Sequence, residues 1–182
     1  MSWVARFRMA TVLLLVSFHA ATVQAREYNQ HELRFGALAH NKGPIASETE
    51  DGPDVTVAYQ YLLNAYDWGG LFVAGGAVAN LSNGTSYLFS GLNTQFSFGE
   101  SPYFFELGFG LAIHDGDLTK KSNDRRELGS RVLFHTAMSV GYQFSNDMTA
   151  SFYFDHISNG EILNDDDNRG LDTYGLRIGF AL

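Results

Sequence analysis

Between Phe152 and Gly170 the chain reads F-Y-F-D-H-I-S-N-G-E-I-L-N-D-D-D-N-R-G, an aromatic run that ends in His156 and Ser158 and opens into a polar loop. In an extended chain, positions i and i+2 share a face, so the imidazole and the hydroxyl lie side by side, below them Phe152 and Phe154. A basic ring beside a hydroxyl is the minimal pairing of a nucleophile with its base. The same pair also fits two polar residues at a strand rim. The elements that carry the pair decide between these readings.

With 182 residues the chain is long enough for one domain. Its 15 Phe, 9 Tyr and 19 Gly against 3 Pro, with little sustained helical periodicity, point to an all-β fold. The absence of cysteine excludes disulfides and thiol chemistry. Arg6 and Arg8, the apolar run Met9 to Phe18 and the small-residue site Val23-Gln24-Ala25 form an export signal, so residues 1–25 are expected to be a cleaved signal peptide and 26–182 the mature domain. Loss of Arg6 and Arg8 lowers the 12 basic residues to 10 against 20 acidic ones. That balance argues against a nucleic-acid partner.

Eight runs of about ten residues recur along the mature chain, near 31–40, 54–65, 70–79, 85–98, 102–113, 130–144, 147–158 and 172–182. In the last, Tyr174, Leu176, Ile178, Phe180 and Leu182 alternate with Thr173, Gly175, Arg177, Gly179 and Ala181. The large apolar residues share one face and the other is small or polar, the reverse of a soluble sandwich. Apolar side chains facing lipid around a narrow polar interior are the pattern of a membrane barrel. Strands of this length cross a bilayer when tilted, and closure is needed because an open edge in hydrocarbon leaves backbone groups unsatisfied. The expected fold is an eight-stranded antiparallel up-and-down transmembrane β-barrel, filled rather than open. Short connections after the second, fourth and sixth runs alternate with longer ones after the first, fifth and seventh, as in outer-membrane barrels. The soluble alternative, a ligand-carrying barrel, would need a bulky apolar lining.

The alternation places the opening pair. His156 and Ser158 continue the lipid-facing register of Met148, Ala150, Phe152 and Phe154, and Asp172 continues that of the last run. Neighbouring strands bring the three within side-chain reach near the extracellular rim. Ionisable groups facing lipid are costly and tend to be functional. A hydroxyl, an imidazole and a carboxylate there suit acyl transfer on a lipid: Ser158 attacks an ester, His156 moves the proton and Asp172 orients the ring. Asn159 and the backbone around Gly160 are the candidate oxyanion donors.

H-I-S-N-G (156–160), followed by N-R-G-L-D (168–172) and a final alternating strand, resembles the lipid A 3-O-deacylase family of outer-membrane enzymes. The resemblance covers nearly the whole chain, although only this motif is specific. It implies a site on the barrel exterior, a Ser-His-Glu triad and hydrolysis, without metal or other cofactor, of the acyl ester at the 3-position of lipid A. It makes Ser158 the nucleophile, His156 the base and Asn159 an oxyanion contributor. Where the family has glutamate this chain has Asp172, one methylene shorter, after a longer loop containing Asp165-Asp166-Asp167. Glu161 is the competing acid. The expected partners are lipid A or lipopolysaccharide in the bacterial outer membrane, with a second copy of the chain left open. Outer-membrane phospholipase A also carries an H-x-S-N-G element, with an asparagine third (here Asn168) and calcium, but on a twelve-stranded, longer chain. A structural or adhesive barrel without chemistry is the reading of another class.

Other polar residues receive plainer readings. His31, His40 and His114 lack neighbours at metal-ligand spacing. His135 belongs to an interior polar network. Asp165 to Asp167 lack the spaced ligands of a calcium loop. Lys120, Lys121, Arg125, Arg126 and Arg169 either meet lipid A phosphates or form a solvated charged surface. Tyr66 and Trp68 suit an interfacial aromatic girdle.

Overall fold

The computed structural model describes residues 28–45, 50–119, 125–160, 162 and 170–182. The expected signal peptide therefore lies outside the described residues, as do Glu161 and Asn168. Eight strands appear: β1 (His31–His40), β2 (Pro53–Tyr66), β3 (Gly69–Asn80), β4 (Tyr87–Ser97), β5 (Tyr103–His114), β6 (Val132–Ser145), β7 (Met148–Ser158) and β8 (Leu171–Ala181). Each pairs antiparallel with the next, and β8 returns to β1 to close the barrel. No strand begins or ends more than two residues from the sequence expectation, because a period of two is interrupted only where the chain must turn.

The apolar register faces outward. Val55, Val57, Leu107, Phe109, Leu111, Val140, Phe152, Leu176 and Ile178 are all exposed on the barrel wall. Such a belt is stable only against hydrocarbon. Leu62, which breaks the alternation in β2, sits at a bulge: the β2–β3 register shifts between Leu62 and Asn64 and leaves Leu63 over.

The interior is filled, but with larger groups than the sequence reading allowed. Besides the small and charged residues, Phe72, Phe104, Tyr87 and Tyr153 are buried inside. The glycines make room for them: a Cβ on Gly141 would come within 2.5 Å of Phe104 Cε1. Small inward residues are thus seats for rings from other strands. Buried Arg34 is paired with two carboxylates, as burial of a charge requires. Arg34 Nη1 donates to both carboxylate oxygens of Glu106 at 2.8 and 2.9 Å, and Nη2 to Glu32 at 3.0 Å. Glu32 also accepts from Gln60 and Thr149, both at 2.6 Å. The Arg177 guanidinium lies 3.1 Å from the centre of the Tyr153 ring.

Candidate active site

β7 and β8 form a hairpin whose register sets His156 directly opposite Asp172. Both project outward, and His156 Nδ1 lies 2.6 Å from Asp172 Oδ1. A contact of that length fixes the ring plane and, with Nδ1–H donating to the carboxylate, leaves Nε2 as the atom able to take a proton. Ser158 follows on the same face, half-buried and opposite Phe134 of β6. Among the described residues no hydrogen bond joins Ser158 to His156; such pairs are often loose until substrate is bound.

The next residue on each strand points the other way. Asp155 and Thr173, adjacent to His156 and Asp172, pair inside the barrel, where the Thr173 hydroxyl donates to Asp155. Asp155 also accepts from Tyr87 at 2.6 Å and Tyr153 at 3.0 Å, and His135 Nε2 lies 3.0 Å from it. His135 belongs to an interior polar network as its parity predicts, with Asp155 and Tyr153 of β7 as its partners. The hairpin is clamped on both faces at one level.

Asp172 is fully buried although its register faces lipid. Its cover comes from the start of the first loop, residues 43–45. The Ile45 backbone N–H donates to Asp172 Oδ2 at 2.7 Å, the oxygen that His156 does not use. Gly43 lies against the carboxylate, and a Cβ there would come within 2.5 Å of Asp172 Cγ. Next to this strap is an apolar hollow of about 620 Å³ lined by Ile45, Met138, Phe152, Phe154 and Tyr174. The sequence carried no signal for the strap, since a loop has no parity to read.

A second support lies behind the imidazole. Gly170, at φ 56°, packs against His156, and its carbonyl accepts from Arg126 Nε at 2.9 Å and Nη2 at 2.7 Å. Arg126 is fully buried, so it is neither a phosphate contact nor part of a solvated surface. Its backbone N–H donates to Glu50 at 2.6 Å, and Glu50 also accepts from Thr85 and lies 2.9 Å from His40 Nε2. Burial pushes the Glu50 carboxyl up; hydrogen bonds from His40 and from the backbone of Arg126 and Thr85 outweigh it and hold the group below its ordinary value. This clasp ties the first, third and fifth connections to the residue behind His156. Lys120, Lys121 and Arg169 lie outside the described residues; Arg125 approaches Asp115 at 3.8 Å.

Of the oxyanion candidates, Asn159 is fully buried, with its side-chain amide 3.5 Å from the Leu128 carbonyl. Gly160 is exposed at φ 64° in a turn where the Ile162 N–H donates to the Asn159 carbonyl at 3.3 Å. His31 meets the Tyr59 hydroxyl at 2.6 Å and His114 the Ser130 carbonyl at 2.7 Å. Among the described residues no group of three or more His, Cys, Asp or Glu side chains is arranged to hold a metal ion. Tyr66 and Trp68 stack, exposed, at the β2–β3 turn.

Residues 38–181 match the family model described as lipid A 3-O-deacylase (PagL). Among solved structures, the crystal structure of the outer membrane enzyme PagL superposes with a TM-score of 0.62 at 18% identity, covering 82% of this chain and 99% of that one. Neisserial surface protein A superposes with a TM-score of 0.54 at 12% identity, covering 86% of this chain and 100% of that one. The N-terminal barrel of Pseudomonas aeruginosa OprF gives 0.52 at 16% identity, covering 84% and 98%. These likenesses carry the fold. A search of curated proteins finds no match.

Proposed function

The chain belongs to the lipid A 3-O-deacylase family, and from that premise we propose that it is an outer-membrane serine esterase that hydrolyses the 3-O-linked acyl chain of lipid A. The observation that carries the reading is the 2.6 Å contact between His156 and Asp172 on the lipid-facing wall, with Ser158 next along the same register. A structural barrel has no use for a buried carboxylate on that face.

In the proposed reaction Ser158 Oγ attacks the ester carbonyl while His156 Nε2 accepts its proton. Asp172 holds Nδ1–H and stabilises the imidazolium. The carbonyl oxygen becomes an oxyanion, for which backbone N–H groups at Asn159 and Gly160 are the donors proposed. Collapse breaks the bond to the 3-oxygen of the sugar, which takes the proton from His156 and leaves as an alcohol. Water, deprotonated by His156, then splits the acyl-serine to release a fatty acid and restore Ser158. No metal or cofactor takes part in the proposed steps. The acyl chain would lie along the apolar wall beside Phe152 and Phe154, since both substrate and site are in the outer leaflet.

The test is mass spectrometry of lipid A from cells expressing the protein. Wild type should release a 3-hydroxy fatty acid, and Ser158→Ala and His156→Asn should each abolish release with the barrel still folded. Undiminished release from both variants would overturn the reading.

A further inference from the structure

We propose that the first-loop strap, Lys42 to Ile45, is a positioning element for Asp172, with Gly43 and the Ile45 backbone N–H as its working parts; this rests on the esterase reading above. The carboxylate has two oxygens and a partner for each: His156 Nδ1 on Oδ1 and Ile45 N–H on Oδ2. Two directional bonds, one on each oxygen, fix the carboxylate plane, where one would let it swing. Fixing that plane fixes the imidazole, and through it the line from Nε2 to Ser158.

The strap comes close enough to do this only because position 43 is glycine. A Cβ there would meet the Cβ, Cγ and Oδ2 of Asp172 together, so the clash falls on the carboxylate itself and not on a flexible tip. The strap also explains how an acid survives on the lipid face. Asp172 has no exposed surface, and the alternative to a backbone donor would be contact with acyl chains. An aspartate is short and cannot move away to find another partner, which makes the shorter acid of this chain dependent on a loop reaching down to it.

The experiment is a double-mutant cycle on full-length protein, with folding checked by heat-modifiable mobility. Gly43→Ala should lower two rates by about tenfold or more: release of 3-hydroxy fatty acid from purified lipid A, and covalent labelling of Ser158 by a fluorophosphonate, which needs an oriented imidazole but no lipid. Ile45→Pro, which deletes the donor, should do the same. In an Asp172→Ala background neither substitution should lower the rates further, because the group they disturb is gone. A strap that merely stabilises the loop would lower the rates equally in both backgrounds, and that result overturns the proposal. So do wild-type rates in folded Gly43→Ala. If wild type labels at Ser158 but releases nothing from lipid A, the substrate assignment fails and the strap is judged on the labelling cycle alone.

Discussion

Gly170 lies against the His156 ring, so close that a Cβ added to it would come within 2.5 Å of Cε1. Its φ of 56° is left-handed as well, so a side chain is disfavoured by both backbone and space. Gly170→Ala should leave a folded barrel and displace the imidazole, lowering deacylation by about 100-fold. Steady-state release of fatty acid, set against heat-modifiable mobility, measures this. Wild-type turnover would show that the ring tolerates the shift.

The acid is separable by mutation. Asp172→Ala should lower the rate by about a thousandfold or more, because the imidazole loses its tautomer and orientation together. Glu161→Ala should be nearly silent. The reverse pattern reassigns the third member of the triad.

Arg126 makes two hydrogen bonds to the carbonyl behind the histidine. Arg126→Gln should loosen the clasp by about 1–3 kcal/mol, since a buried carbonyl loses its charged donor. Hydrogen exchange at residues 170–173 should speed up, and turnover should fall without loss of the barrel. Unchanged exchange would mean that the fifth connection does not support the site.

Glu50 makes the same clasp sensitive to acid. Its folded-state value lies below the ordinary carboxylate value, so its contribution is present above that ordinary value and is lost as pH falls through the folded one. Limited proteolysis of the first loop should therefore accelerate on acidification below about pH 4.5. Glu50→Gln should be cleaved more readily at neutral pH and show a flatter response. Identical profiles for the two proteins would remove Glu50 from the account.

Inside the barrel, Glu106→Leu leaves Arg34 with Glu32 alone. Breaking a buried pair from one side costs about 3–5 kcal/mol, whereas replacing both partners by apolar residues can be neutral. Urea unfolding in lipid should show Glu106→Leu as the weaker protein and Arg34→Met/Glu106→Leu as partly recovered. Equal stability of the single variant and wild type would show that Glu32 suffices.

The strands, their number and the outward side of His156, Ser158 and Asp172 were legible because a lipid wall enforces strict alternation over ten residues. The pairing of His156 with Asp172 needed the register, which the long loop between them does not specify. Gly43 and Gly170 could not be read as site residues, since a glycine's use depends on what stands where its side chain would be. The role of Arg126 is hidden in the sequence because charges in a loop ordinarily meet solvent, whereas here backbone from the third and fifth connections meets at Glu50. The interior rings escape a strand-by-strand reading for a related reason: Phe104 of one strand fills the space that Gly141 of its neighbour vacates.

The double clamp on the last hairpin has a consequence for assembly. Asp155 and Thr173 meet inside at the level where His156 and Asp172 meet outside. A slip of one residue between β7 and β8 would exchange the faces, sending Asp155 into hydrocarbon and separating the outer pair. The one register that satisfies the interior charge is also the one that builds the outer dyad. Under the proposed function, hydrolysis thus reports that the barrel has zipped correctly, and a chain still threading across the envelope carries no working esterase past the lipids it meets.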